Sequence, residues 1–127
     1  MQDGIRYKYA GEKPETGFDC SGFTKYVYSH IGVELPHNAQ KQSNLSGNNK
    51  TLENARPGDL IFFGAKTEDS HHTIHAGIVH SVYEDDISVI HCVSGGVSID
   101  GRDSSWDRYW KNEVLFVKTL PQLSAQR

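Results

Sequence analysis

Two apolar segments rich in β-branched residues, near the middle of the chain, constrain its fold more than any other feature. They are HAGIVHSVY (75–83) and ISVIHCV (87–93), and only the acidic residues Glu84, Asp85 and Asp86 separate them. Short runs of this kind, bounded by a polar connection, are typical of the two strands of a β-hairpin. We therefore predict two antiparallel strands joined by a solvated turn.

The other elements follow from local patterns. Residues 20–31 have the apolar spacing of a helix, with Asp19 as N-cap and Gly32 as the stop. A short second helix is expected over 38–46, and a polar, exposed loop over 65–73. The buried stripe of the first helix would contain Phe23, Tyr26, Val27, His30 and Ile31. Further strands are expected in the segments LIFFG, after a Pro-Gly turn, and VLFVKTL. A helix followed by strands predicts an α+β fold with an antiparallel sheet.

Size and charge narrow the function classes. The chain has 127 residues, which suits one domain, and we assign 1–120 to it and 121–127 to a loose polar C-terminal tail. The net charge is −3 with no Lys/Arg cluster, so we expect no nucleic-acid partner. No apolar run reaches membrane-spanning length. The first residues lack the apolar stretch of a signal peptide, which predicts either a cytosolic protein or an excised domain.

The stretch GFDCSGF (17–23) places Cys20 directly after the predicted N-cap of the first helix. The unpaired N–H groups of a helix N-terminus favour a thiolate over a thiol, so Cys20 can be a reactive nucleophile. A cysteine at such a position can equally be a small packed residue. With only two cysteines, the chain is not a disulfide scaffold.

A nucleophilic cysteine needs a base, and the hairpin favours two of the seven histidines. Strand side chains alternate, so His75 and Gly77 share one face and His80 takes the other. His75 and His91 share a face if the numbers of paired residues sum to an even value. His75 would then be the base for Cys20, with His91 orienting it. Gly77 would leave room for the end of the helix.

The remaining candidates have simpler interpretations. We expect His30 to pack on the helix stripe and His37 to lie in a loop. The run HHTIH (71–75) lacks the glutamate of the helical zinc motif, so we predict no metal site. Cys92 follows His91 and points to the opposite face, which indicates a core residue.

Two tryptophans near the C-terminal end leave two interpretations open. Trp106 and Trp110, with Tyr109 beside them, can be packing anchors four residues apart, or they can form a wall of a cleft.

Six segments taken in order resemble the NlpC/P60 cysteine peptidases. They are YKYAG, GFDCSGF, LPHNAQKQ, PGDLIFF, HAGIV and ISVIHCVSGGV. The resemblance spans roughly residues 5 to 118. It implies a papain-like α+β fold, in which an N-terminal helix carrying the nucleophile packs on an antiparallel β-sheet, and it implies no metal or other cofactor. It also implies hydrolysis of cell-wall stem peptides in bacteria, most often at the bond between D-γ-glutamate and the diamino acid.

The resemblance assigns a role to each matching residue. Cys20 matches the nucleophile, and His75 matches the general base that later protonates the leaving amine. His91 matches the polar third residue. We expect Cys20 and His75 to form a thiolate–imidazolium pair.

Substrate-binding roles also carry over. Tyr7 matches a tyrosine that lies near the cysteine and helps the oxyanion site. Asp19 and Ser21 match positions that line the subsite on the glutamyl side, although Asp19 can also be only a helix cap. His37 stands where arginine is common, whereas Gln42 fits the usual glutamine.

Two other readings stay open: an inactive module that binds wall peptides, and an amidase or acyltransferase on a related papain-like fold. The expected partners are peptidoglycan stem peptides, and we expect a monomer. The substrate implies an extracytoplasmic location, with the export signal absent from this chain.

Overall fold

An antiparallel sheet carries a helix on one face, and Cys20, the first residue of that helix, lies against the strand that contains His75. The computed structural model describes residues 12–13, 17–83, 86–93, 96–101, 106 and 109–126. Six strands pair in the order β3-β8-β4-β5-β6-β7, and β1 and β2 form a separate pair. The strands are β1 Glu12–Lys13, β2 Gly17–Phe18, β3 Asn48–Lys50, β4 Leu60–Lys66, β5 His71–Tyr83, β6 Asp86–Val93, β7 Gly96–Asp100 and β8 Val114–Thr119. The helices are α1 Cys20–Ser29, α2 Ala39–Ser43 and α3 Pro121–Gln126, with 3₁₀ turns at Leu52–Asn54 and Trp110–Glu113.

Helix α1 begins as predicted but ends earlier. The Asp19 side chain accepts a hydrogen bond from the Gly22 N–H, so Asp19 is the N-cap. The helix ends at Ser29, which leaves His30 and Ile31 exposed in the turn before Gly32. His30 is therefore exposed rather than buried, although its ring packs edge-on against that of Tyr26 on the stripe, with centroids 4.7 Å apart.

The hairpin of β5 and β6 has the register that brings the two histidines to one face. Ile78 pairs with Ile90 and Val79 with Val89, so the paired numbers sum to an even value, as the sequence analysis required. The turn is shorter than expected, since Asp86 already pairs with Tyr83. Residues 84 and 85 of the predicted turn lie outside the described residues.

The sheet has an apolar core on each side. The helix-side core contains Phe23 of α1 with Phe62, Ala76, Ile90 and Cys92 of the sheet. Cys92 is fully buried there, which confirms its prediction as a core residue. The opposite-side core is built from Ile61, Phe63, Val79, Val89, Trp106 and Val117.

Several segments differ from the predictions. The expected loop over 65–73 is mostly strand, because β4 continues to Lys66 and β5 begins at His71. Only residues 67–70 form the turn, which the Thr67 N–H closes by donating to the Ser70 carbonyl. Strand β7 was not predicted. Residues 121–126 form α3 rather than a loose tail.

Candidate active site

Cys20 is the first residue of α1 and is partly buried against β5. The backbone N–H of Ala76, the neighbour of His75, faces the thiol, as do those of Ser21 and Cys20 itself. Burial raises the pKa of the Cys20 thiol, and the Asp19 carboxylate raises it further, whereas these N–H groups lower it. The helix N-terminus thus acts on the sulfur as predicted, but desolvation outweighs it.

His75 is buried between aromatic rings on the face of the sheet opposite α1. Its imidazole stacks on the Trp110 ring, with centroids 4.5 Å apart and an interplanar angle of 28°. The Phe63 ring lies 5.3 Å away, centroid to centroid. Burial in this apolar setting, together with the nearby His91, lowers the pKa of His75 to about 3. Trp110 therefore packs against the candidate base, whereas Trp106 is buried in the opposite-side core.

A chain of hydrogen bonds leads from His75 into the sheet. Nε2 of His75 lies 2.8 Å from Nδ1 of His91, and Nε2 of His91 lies 2.6 Å from Oδ2 of Asp100. Burial lowers the pKa of His91, while the hydrogen bond and the charge of Asp100 raise it in part. The His75–His91 contact confirms the prediction from strand alternation, whereas the contact with Asp100 was not predicted.

The protonation of the two candidate reactive groups differs from the expected ion pair. A raised pKa of Cys20 and a lowered pKa of His75 favour a thiol and a neutral imidazole near neutral pH. Within the described residues, no hydrogen bond joins the thiol to His75, and Nδ1 of His75 has no hydrogen-bond partner. In the protein without substrate, a thiolate–imidazolium pair is therefore not favoured, because both groups are desolvated.

A groove of about 400 Å³ opens beside Cys20, between the start of α1, helix α2 and the start of β5. Asp19, Ser21 and His37 line it. Oδ1 of Asp19 accepts the Gly22 N–H at 2.6 Å and lies 2.8 Å from Nε2 of His37. Ser21 Oγ is 3.5 Å from the same oxygen. Asp19 is thus both a helix cap and a wall of the groove.

Gln42 holds the groove's two walls together from behind. Its side-chain N–H₂ donates to the carbonyls of Ser21 and Pro36, and its oxygen accepts from the Thr24 hydroxyl. Gln42 and Thr24 are fully buried, and the contacts of Gln42 with Thr24 and Ser21 are made away from solvent. His37 lies in a loop, as predicted, and the fixed turn at Pro36 places it against Asp19, a contact that was not predicted.

The other predicted residues take different places. Tyr7 lies outside the described residues. His80 is exposed and bonds to Ser88 Oγ on β6, away from His75 and His91. Gly77 makes room for His91 and not for the helix end, since a Cβ there would lie 3.0 Å from both His91 Cβ and Val89 Cγ1.

The three histidines of the HHTIH run have separate surroundings. His71 lies 3.1 Å from Ser43 Oγ, His72 is exposed at the groove, and His75 bonds to His91. In the part of the chain that the structure describes, no cluster of three or more His, Cys, Asp or Glu side chains is placed to hold a metal ion. None of the described helices is long and apolar enough to cross a membrane.

The geometry defines an α+β domain with a cysteine at a helix start beside a buried histidine pair, and comparisons with known proteins agree with this class. The NlpC/P60 family model matches residues 4–119. The chain belongs to the NlpC/P60 family. It is 37% identical over 118 residues to the gamma-DL-glutamyl hydrolase of Bacillus subtilis, covering 92% of this chain and 27% of that protein. The chain thus spans about a quarter of that relative's length.

Solved structures show the same fold. The NlpC/P60 domain of the peptidoglycan hydrolase SagA superposes with a TM-score of 0.73 at 26% identity, covering 94% of this chain and 90% of that domain. RipD of Mycobacterium tuberculosis, described as a non-catalytic NlpC/P60 domain adapted to peptidoglycan binding, gives a TM-score of 0.62 at 20% identity. The superposition covers 91% of this chain and 86% of RipD, and a match at 20% identity supports the fold alone. The family thus includes both hydrolases and a binding protein.

Proposed function

We propose that the chain is a cysteine endopeptidase that cleaves cell-wall stem peptides at the bond between D-γ-glutamate and the diamino acid. The observation that carries the proposal is the placement of Cys20 against the backbone of Ala76, beside a buried His75 that is bonded to His91. A nucleophile, a base and a group that orients the base are the three parts of such a site. The similarity to a gamma-DL-glutamyl hydrolase supports the choice of bond.

The mechanism follows from the neutral resting pair. Nδ1 of His75 takes the proton of the Cys20 thiol as the sulfur attacks the scissile carbonyl, so a thiolate need not accumulate beforehand. Backbone N–H groups near Cys20 stabilise the oxyanion, and Tyr7 is proposed to assist them. The imidazolium of His75 then protonates the leaving amine. Water, deprotonated by His75, hydrolyses the thioester and restores the thiol.

We propose that the groove beside Cys20 binds the glutamyl side of the substrate. Asp19 and Ser21 line it, and Oδ2 of Asp19 makes no hydrogen bond within the described residues. A carboxylate oxygen in that position can accept an N–H or an ammonium group of the bound peptide. The neighbouring His37 and Gly22 hold the other oxygen and so fix the carboxylate's orientation.

The proposed substrate implies an extracytoplasmic site of action, and we propose that the domain works there as a monomer without a metal or other cofactor. Cell fractionation of the full-length protein tests the location, and sedimentation velocity tests the oligomeric state. If no metal takes part, the activity should be retained in EDTA. Loss in EDTA with recovery in zinc would contradict it.

Two other functions make different products, so one experiment separates all three. Purified muropeptides are incubated with the wild type and with Cys20→Ala, and the products are identified by mass spectrometry. The proposal predicts fragments ending in D-γ-glutamate with the wild type alone. Fragments cut at another amide, or acyl transfer to an added amine, would favour the amidase or acyltransferase. Bound but intact muropeptides would favour a binding module of the kind that RipD represents.

A further inference from the structure

Asp100 lies at the far end of the hydrogen-bond chain that begins at His75. It is on β7, and its register follows from the pairing of His91 with Ser98, which puts Asp100 two residues further along and on the same face. Diagonal neighbours of this kind are within reach of long side chains. The contact is short, with 2.6 Å between Nε2 of His91 and Oδ2 of Asp100.

The donors and acceptors along this chain determine where each proton lies. An ionised carboxylate only accepts, so the hydrogen in the contact with Asp100 belongs to Nε2 of His91. A neutral imidazole carries one N–H, which leaves Nδ1 of His91 as an acceptor. The hydrogen between the two rings must then belong to Nε2 of His75. Nδ1 of His75 is left without a proton.

Without Asp100, nothing fixes which of the two rings donates the hydrogen bond between them. Nδ1 of His91 can then donate to Nε2 of His75 with equal geometry, and the single proton of His75 moves to Nδ1. In that tautomer Nδ1 of His75 cannot accept a proton from a thiol. An amide oxygen in the third position can only accept a hydrogen bond, but a neutral histidine can donate or accept at Nδ1. A histidine there therefore needs a second group to fix its tautomer.

We propose that Asp100 is a positioning residue that fixes the tautomers of His91 and His75, so that Nδ1 of His75 is the proton acceptor. This inference rests on the proposed function for its kinetic consequence, but not for its structural one. The side chain of Asp100 is 15% exposed and that of His91 is fully buried, so solvent competes little for the contact. Groups that orient a metal-bound histidine in this way change activity by about 10–100-fold, and we expect an effect of the same order here.

The test combines spectroscopy with kinetics. The chain is labelled with ¹⁵N-histidine, and the ring nitrogens are assigned in the wild type, Asp100→Ala and Asp100→Asn. Asp100→Asn keeps the size and shape of the side chain, but its amide can either donate to His91 or accept from it. This variant therefore no longer fixes the tautomer of His91. Ile99→Ala is the control, because Ile99 is the neighbour on β7, 37% exposed and on the other face.

In the wild type we expect Nδ1 of His75 to be unprotonated and Nε2 to be protonated. In both Asp100 variants a measurable fraction of His75 should carry its proton on Nδ1, and kcat on a stem peptide should fall by about 10–100-fold with little change in KM. Ile99→Ala should change neither reading. An unchanged His75 tautomer in both variants would overturn the inference even if kcat fell, because Asp100 would then be only structural. A shifted tautomer with unchanged kcat would overturn it as well.

Failure of the proposed function is a separate result. A wild type that shows the expected tautomers, loses them in the Asp100 variants and cleaves no stem peptide would refute the peptidase and still support the assignment of Asp100.

Discussion

His75 depends on its surroundings for both its position and its neutrality. The Trp110 ring covers one face of the imidazole, Phe63 packs nearby, and His91 holds Nε2. These contacts exclude water and lower the pKa of His75 to about 3. The same environment keeps the ring unprotonated at neutral pH and makes its protonated form costly, which in the proposed mechanism would favour proton delivery to a leaving amine.

Substitution of the histidines should give a graded loss of activity. His75→Ala removes the acid–base group and should reduce kcat/KM by about 10²–10⁴-fold. His91→Ala should cost less, and His91→Gln should retain measurable activity because an amide still hydrogen-bonds to His75. His80→Ala is the control and should be mild, since His80 bonds to Ser88 at the exposed surface. Kinetics on L-Ala-γ-D-Glu-diaminopimelate measures the order. A folded His80→Ala variant as inactive as His75→Ala would refute the choice of base.

The two cysteines should differ sharply in alkylation. Cys20 is partly exposed at the groove, whereas Cys92 is fully buried and burial raises its pKa to about 12. We therefore predict that iodoacetamide modifies Cys20 much faster and abolishes hydrolysis. Because the pKa of Cys20 is also raised, its labelling rate should increase as the pH rises above neutrality. Mass spectrometry of tryptic peptides gives both rates. Equal labelling of the folded protein would contradict the assignment.

At the scale of elements, the site is assembled by three neighbouring strands and one helix end. Strand β5 supplies His75, β6 supplies His91, β7 supplies Asp100, and the start of α1 supplies Cys20. The close approach of β5 and β6 requires Gly77, whose missing side chain leaves space for His91 and Val89.

Gly77→Ala should therefore damage stability and activity together. The added Cβ would lie 3.0 Å from His91 Cβ, so the two strands must shift or His91 must turn away from His75. Overpacking of this kind costs about 1–3 kcal/mol. Gly32→Ala is the matched control: its φ of +78° makes alanine strained, but no atom lies within 4 Å of the added Cβ. Urea denaturation and kinetics should show both variants destabilised, with kcat reduced only in Gly77→Ala. Normal kcat in Gly77→Ala would contradict the packing argument.

The sequence predicted the elements that have strong local patterns and missed those that depend on pairing. The Asp19 cap, the β5–β6 hairpin and the shared face of His75 and His91 follow from capping chemistry and alternation. Strand β7 has no such pattern, because GVSID is short and partly polar. The Gly95-Gly96 pair at its start is nevertheless a hairpin signal that could have placed Asp100 near His91. The raised pKa of Cys20 depends on burial by distant residues, which no local pattern reveals.

At the scale of the whole molecule, two buried neutral histidines make folding sensitive to acid. The pKa of His75 falls from 6.5 to about 3, and that of His91 is lowered as well. Below pH 6.5 these two histidines therefore bind more protons in the unfolded chain than in the folded one. Their contribution to stability is fully present above that pH and is lost as the pH falls toward their pKa values in the folded protein. His75 alone should account for about 1.4 kcal/mol per pH unit within this window.

Urea denaturation at about pH 7.5, 6 and 5 tests this sensitivity, since these values lie above the range in which carboxylates titrate. The free energy of unfolding should decrease at each step, and the decrease should be smaller in His75→Gln, which has no titrating ring. A wild-type stability that stays constant from pH 7.5 to about 5 would show that the buried pair does not remain neutral on folding.

The central claim is that Cys20 is the nucleophile of a peptidase acting on the D-γ-glutamyl bond, and one comparison tests it most directly. L-Ala-γ-D-Glu-diaminopimelate is incubated with the wild type, Cys20→Ala and Cys92→Ala, and released diaminopimelate is quantified by mass spectrometry. We predict release by the wild type and by Cys92→Ala, and none by a folded Cys20→Ala. Release by Cys20→Ala at the wild-type rate, or an intact peptide with the wild type, would contradict the claim.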